Sequence, residues 1–404
     1  MSVTTGLSGH EIYCLQQKGY APGNIVIGNS VHALGFLGSL GSGVKSILGG
    51  EIRAITEFIA EGRETAYTRM RLDAETNNAH GISGVNTQLI SHGSNIEFLS
   101  VGSALHALKN PPEKLFSTSA TGQELYAQMD AGFQALGFAF GNTAYTMGLR
   151  RGLSGGIKTL GRGEIKEYSD VFNQTRHLAL QALINNAKQQ GADAVLGIKT
   201  SIIPFGSIHE MLMIGTASKK NTATATESDK IITSGMSNIE LWSMTNLGYE
   251  PLQLLLGTSV YSLGLVGGVR SSLKSFVRGE INELTQLIYA ARENALAIIN
   301  EEAEAIGADD ILGVKTYIYP LGNGLIEFLA IGTAVKRVTG SKTQSEQLPP
   351  QAIAINQDSF YDAYLDAKTG INVNLNSGTQ TPFARLIFPL LFLFIMIILS
   401  HLTH

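Results

Sequence analysis

The chain has 404 residues, 44% of them hydrophobic, and a formal net charge of -4. That length suits about three domains of about 100–150 residues each, and the near-balanced charge gives no basic field for nucleic acid. Cys14 is the single cysteine, which excludes an internal disulfide, and residues 1–9 lack the basic-then-apolar order of a secretory signal.

In chain order, 11–15 and 24–28 read as a strand pair turning at Tyr20-Ala21-Pro22-Gly23, with Cys14 as a small buried residue of the first strand. A glycine-rich apolar segment, 31–48, carries one charge, Lys45. A long helix opening at Glu51 runs to about Asn77, and two strands follow at 82–90 and 95–104. Sliding the chain by 116 and 229 positions brings the pattern back, so Gly279-Glu280-Ile281 matches Gly163-Glu164-Ile165 and Gly50-Glu51-Ile52. Gly257, Gly141 and Gly28 all lie 23 positions before that glutamate, and Glu240, Glu124 and Glu11 lie 17 before the glycine. The chain is therefore three similar domains, at 10–106, 123–218 and 238–337, and a tail. The tail divides into a polar tether, 338–381, with one short ordered piece at 360–365, and an apolar run, 383–402, of the length of a transmembrane helix. Basic residues on its N-terminal side make it a tail anchor with the repeats on the cytoplasmic face.

Three stretches carry a family resemblance: Ala291-Arg292-Glu293-Asn294-Ala295, Gly307-Ala308-Asp309 through Gly313-Val314, and the closing Gly332-Thr333-Ala334-Val335-Lys336. With them the three copies resemble the YbjQ-like family, small bacterial domains often labelled heavy-metal-binding. The first copy departs, with Asn78-Ala79-His80 in place of the glycine and aspartate. The resemblance implies an α+β fold of three tandem β-β-α-β-β domains, here followed by the C-terminal transmembrane helix. It also implies a homo-oligomeric, five-fold ring, in which five chains would place equivalent copies in three tiers or concentric rings.

Charged positions held in all three copies are the candidate site residues. Glu51, Glu164 and Glu280 suit the positive end of the helix, and Lys45, Lys158 and Lys274 fall in the glycine-rich segments. Arg63, Arg176 and Arg292 sit mid-helix at the border of the apolar stripe. Each needs a carboxylate, and Glu97, Glu210 and Glu327 on the last strands, or a neighbour's glutamate, are the ion-pair candidates. No Cys-x-x-Cys, His-Glu-x-x-His or phosphate-cradling glycine motif is present, so no enzyme, cofactor, catalytic residue or metal ligand is expected. His80 has no counterpart, and His209-Glu210 is a weak ligand pair. The glycine-rich segments contain no acidic residue and suit either packing at a ring interface or contact with anionic lipid. The expected function is a tail-anchored scaffold on the cytoplasmic face of a bacterial inner membrane, with itself and membrane lipids as partners. A protein binding a metal or small ligand between subunits is the alternative.

Overall fold

The computed structural model describes residues 2–33, 50–92, 95–146, 163–205, 208–221, 230–263, 282–322 and 325–351. Most of each glycine-rich segment, Glu280, the ordered piece at 360–365 and the apolar run at 383–402 lie outside the described residues. Among those described, no helix is long and apolar enough to cross a membrane.

The first copy runs α1 (Gly9–Gln17), β1 (Tyr20–Ala33), β2 (Gly50–Glu51), α2 (Arg53–Thr76), β3 (Gly81–His92) and β4 (Asn95–Ala107). A linker strand, β5 (Phe116–Ser117), leads to α3 (Gly122–Asp130), β6 (Phe133–Thr146), β7 (Gly163–Glu164), α4 (Lys166–Gln189), β8 (Ala194–Phe205) and β9 (Ile208–Lys220). A second linker strand, β10 (Ile232–Thr233), leads to α5 (Asn238–Asn246), β11 (Tyr249–Ser262), α6 (Asn282–Ala305), β12 (Asp310–Gly322) and β13 (Leu325–Arg337).

The element expected as a first strand is a helix. Ser8 accepts from the Glu11 amide while the Glu11 carboxylate accepts from the Ser8 amide, and Thr121–Glu124 and Ser237–Glu240 do the same. This reciprocal cap satisfies two otherwise orphaned amides, which tips a short apolar stretch into a helix. It explains why Glu11, Glu124 and Glu240 recur, and it places the fully buried Cys14 in α1. Glu51 and Glu164 in turn do not open the long helices. They lie in β2 and β7, and the caps Ile52 and Ile165 make no side-chain capping bond.

Each copy builds its sheet on three long antiparallel strands, and short strands from neighbouring segments add to them. In the first sheet the order is β1-β4-β3-β5, in the second β10-β8-β9-β6-β2, and in the third β12-β13-β11-β7. Thus β2 leaves its own copy to pair with β6, and β7 pairs with β11. The linker strands run the other way, β5 adding in parallel to β3 and β10 to β8.

The helix lies close against the long strand, and the glycines repeated in all copies mark the contact. A Cβ on Gly28 would stand 2.1 Å from the Ala66 carbonyl oxygen, and one on Gly257 2.1 Å from that of Ala295. Gly141 meets Leu183 and Ala179 in the same way. The departure at Asn78 is also conformational. Gly191 and Gly307 end their helices at φ 78° and 70°, and Asn78 takes φ 53°, a region in which asparagine is the side chain best tolerated.

The three short helices form a row, with α3 between α1 and α5. Buried Asp130 at the end of α3 accepts from Lys18 Nζ at 2.7 Å and from Trp242 Nε1 at 2.7 Å, so it ties the first and third copies to the second. The Ser345 amide and hydroxyl supply two further bonds, at 3.0 and 2.8 Å. The first part of the expected tether is therefore docked on the repeats. Burial pushes the Asp130 carboxyl up, but the hydrogen bonds from Lys18, Trp242 and Ser345 outweigh it and hold it below the ordinary range. Asp130→Ala removes the common acceptor and leaves Lys18 without its carboxylate, so urea unfolding is expected to show a loss of about 3 kcal/mol. Ser345→Ala, which removes only one donor, is expected to cost about a third of that.

Candidate functional site

The long helices α2 and α4 bury two faces each, one on their own sheet and one on the next. Ile52, Ile55 and Ile59 at the start of α2 share a core with Ala144 of the second copy. Phe172, Ala179 and Leu183 of α4 share one with Leu254, Leu256, Val260 and Leu329 of the third. A helix with two apolar faces cannot be satisfied by one sheet, so each joint between copies is as much a core as the copies themselves.

An arginine stands at the centre of each joint. Arg63 of α2 donates from Nε to Glu210 Oε1 at 3.0 Å and from Nη2 to Oε2 at 2.6 Å, while Nη1 reaches Thr87 Oγ1 at 3.0 Å. Arg176 of α4 donates from Nε to Glu327 Oε1 at 3.0 Å and from Nη2 to Oε2 at 2.7 Å. Its Nη2 also reaches the Tyr145 hydroxyl at 3.0 Å, and its guanidinium carbon lies 4.5 Å from the centre of that ring. All four charged side chains are fully buried. Burial opposes the Arg176 charge, but the Glu327 carboxylate outweighs it and its pKa stands above that of ordinary arginine. Burial likewise pushes the Tyr145 hydroxyl up to about 12, so it donates or accepts as a neutral phenol. Two of the sequence-predicted arginines and two of the glutamates thus meet, each pair between successive copies.

The third pair does not meet within the chain. Arg292 is exposed on α6. Glu97 on β4 accepts from Asn29 Nδ2 at 3.0 Å and sits 2.7 Å from His92 Nε2, whose hydrogen bond holds the carboxyl below the ordinary range against its partial desolvation.

The expected ligand pair His209-Glu210 is divided: Glu210 belongs to the joint, and His209 Nδ1 is buried without a partner among the described residues. Burial, then the nearby Arg176, hold the His209 ring below its ordinary pKa. His80 has a backbone role. Its Nδ1 accepts from the Ala107 amide, as Asp193 accepts from Lys220 and Asp309 from Arg337. Among the described residues no three His, Cys, Asp or Glu side chains converge as metal ligands. Cys14 is buried and its thiol is pushed up by burial, so it is a poor thiolate donor. These residues do not fit a heavy-metal centre.

The two joints differ beside the arginine. Between α2 and α4 lies an open groove of about 920 Å³, lined in part by Glu61, Glu64, Arg69 and Asn186. At the position of Glu64 the next joint has His177, and at that of Asn186 it has Glu302. His177 Nε2 lies 2.8 Å from Glu302 Oε1 and Nδ1 lies 2.9 Å from the Asn173 carbonyl. Both ring nitrogens face acceptors, which only the doubly protonated ring satisfies. The Glu302 hydrogen bond therefore raises the His177 pKa, against partial burial.

A raised folded-state pKa gives stability that is complete below the unfolded value, about 6.5, and is lost as pH rises through the folded value. Thermal melts are expected to fall as pH rises above about 6.5, with a flatter profile in His177→Gln. Arg176→Met leaves Glu327 buried and unpaired, and unfolding is expected to show a loss of about 3–5 kcal/mol. Adding Glu327→Leu to that variant is expected to restore most of it, because removing both charges removes the desolvation cost as well.

Comparison with known proteins follows this division of the chain. The model of the YbjQ family, described as "Putative heavy-metal-binding", matches residues 9–107, 129–221 and 244–338. Similar relatives include the "Encapsulin nanocompartment protein Rv1762c" of Mycobacterium tuberculosis, 28% identical over 232 residues, 54% of this chain and 86% of that protein. The "UPF0145 protein" of Pseudothermotoga lettingae is 38% identical over 87 residues, 21% of this chain and 82% of the relative. The "UPF0145 protein VP1283" of Vibrio parahaemolyticus is 39% identical over 85 residues, 20% of this chain and 80% of the relative. No solved structure matches the chain. With three matched stretches that together span well over half of its length, the chain belongs to the YbjQ family.

Proposed function

We propose that this chain is a non-catalytic assembly protein, a homo-oligomeric scaffold held at the cytoplasmic face of a bacterial inner membrane by its C-terminal apolar run. The observation that carries the reading is the use made of the repeated charged residues. Arg63 and Arg176 are spent with Glu210 and Glu327 on joining one copy to the next, in fully buried pairs with no room for a substrate. Glu11, Glu124 and Glu240 are spent on helix caps. Similarity to a relative named as an encapsulin nanocompartment protein, over 86% of that protein, supports an assembly role. Membrane attachment rests on the sequence at 383–402, a segment of about 20 residues with an uninterrupted apolar run from Leu386 to Leu399 that follows a polar stretch.

The full chain in mild detergent is expected to give a particle of several chains by light scattering, and deletion of 383–404 to move the protein from washed membranes to the supernatant. A single chain at micromolar concentration would overturn the scaffold reading, and stoichiometric metal by elemental analysis would replace it with a binding function.

A further inference from the structure

We infer that two chains join head to tail through a third joint of the same kind, with Arg292 on α6 of one chain paired to Glu97 on β4 of a second copy of the chain. The inference rests on the assembly reading and names its interface. Its basis is that the two joints within the chain share one construction, and that each half of it is present and uncovered at the chain's two ends.

At the head, the outer face of the first copy carries positions that the next two copies bury against a preceding helix. Val31 is 58% exposed, whereas Ala144 and Val260 at the same position are fully buried. Ile27 is 40% exposed against 7% for Phe140 and 0% for Leu256. At the tail, Val314 is 43% exposed against 2% for Val85 and 6% for Ile198. Ile318 and Tyr289 are exposed there too, and so is Val3 at the head, at the position of Phe116 and Ile232. These residues are six of the eleven exposed large hydrophobics among the described residues, and they fall only where a joint would be. Single exposed apolar side chains mean little, but two matched sets at opposite ends mark an interface.

Backbone and charge complement each other in the same register. Val31 stands opposite Glu97 as Ala144 stands opposite Glu210 and Val260 opposite Glu327. The outer edge of β1 has no strand partner among the described residues, where β6 takes β2 and β11 takes β7. At the other end β12 is an edge, while β3 and β8 are covered by β5 and β10. In both existing joints the incoming segment also takes an amide bond, Val85 to the Thr118 carbonyl and Ile198 to that of Ser234, each at 2.9 Å. Val314 is the matching amide at the tail, and Thr5 the matching carbonyl at the head. A heterologous contact of this kind closes into a ring or runs on as a filament. A ring of whole chains through it holds a multiple of three copies, with the copies of one chain following one another round the circle. It replaces the three-tier arrangement.

The test is charge reversal in the full-length chain in detergent, read by mass photometry. Arg292 is exposed in the single chain, so Arg292→Glu is expected to leave the chain folded, while Glu97→Arg also gives up the bonds from Asn29 and His92 and is read below its own melt; each is expected to weaken association more than about tenfold. Combining both changes on one chain restores an opposite-charge pair at every joint and is expected to bring back the wild-type particle, and mixing the two variants restores it wherever they alternate and is expected to associate more tightly than either alone. If both single variants assemble like a multi-chain wild type, this joint is wrong and the scaffold reading stands. If they dissociate but neither the mixture nor the double variant reassembles, the pairing of Arg292 with Glu97 is wrong. If the wild type is itself a single chain, both readings fall together.

Discussion

The fold depends on a buried arginine that belongs to one copy and is neutralised by the next. A fully desolvated guanidinium costs several kcal/mol, and an ion pair with good geometry roughly offsets that cost without much surplus. Bonds from Arg176 Nε and Nη2 to the two oxygens of Glu327, with a third to Tyr145, are the geometry that offsets it. The pair therefore adds little net stability over an apolar core, and its effect is on specificity. Glu210 and Glu327 reach the arginines only if the hairpins keep their register, because a slip of one residue would turn the carboxylate to the other face of the sheet. The register of each hairpin and the seating of the preceding helix are thus one constraint.

Around that pair the two joints tolerate different chemistry. Arg63 takes Thr87 of β3 as its third partner and Arg176 takes Tyr145 of β6, each from the arginine's own copy but from a different strand. One joint carries His177–Glu302 where the other has Glu64 and Asn186. What stays constant is apolar contact, the exchanged strand and the glycine that lets helix and strand touch, as at Gly28, Gly141 and Gly257. Dispersion and burial supply the energy of the joint, and the arginine sets its alignment.

The repeats, the long helices and the terminal hairpins were legible because their periodicity is strong and occurs three times. Gly307 marked a helix end correctly, and the same position in the first copy, Asn78, kept the backbone while changing the residue. The short helices were missed although their signal, a serine or threonine three residues before Glu11, Glu124 and Glu240, was present. Apolar runs of five residues read equally as strand or helix, and the cap decides between them. Residue types and spacing left the partners of Arg63 and Arg176 open, because an ion pair across copies depends on which sheet the helix enters second. Asp130 left no signal at all. Its partners Lys18 and Trp242 lie about a copy away on either side, and the other copies have Gln17 and Asn246 in its place.

Solenoids and other arrays end in copies with a polar outer face, which keep the stack soluble and finite. This chain does not use that device on its described surfaces. The first copy presents β1, 14 residues long, as a sheet edge flanked by Ile27 and Val31. The third presents a helix whose equivalents each bury a second face, and a strand edge beside Val314 and Ile318. Long unpaired edges with apolar flanks are a liability that soluble proteins blunt with charge, proline or a covering element. Here the charge at each end is of a sign that attracts the other end, Glu97 at the head and Arg292 at the tail. Ends that are complementary to each other, and not merely exposed, are stabilised by continuation of the array, and under the proposed joint the three-copy chain becomes a building unit whose surface further copies of itself complete.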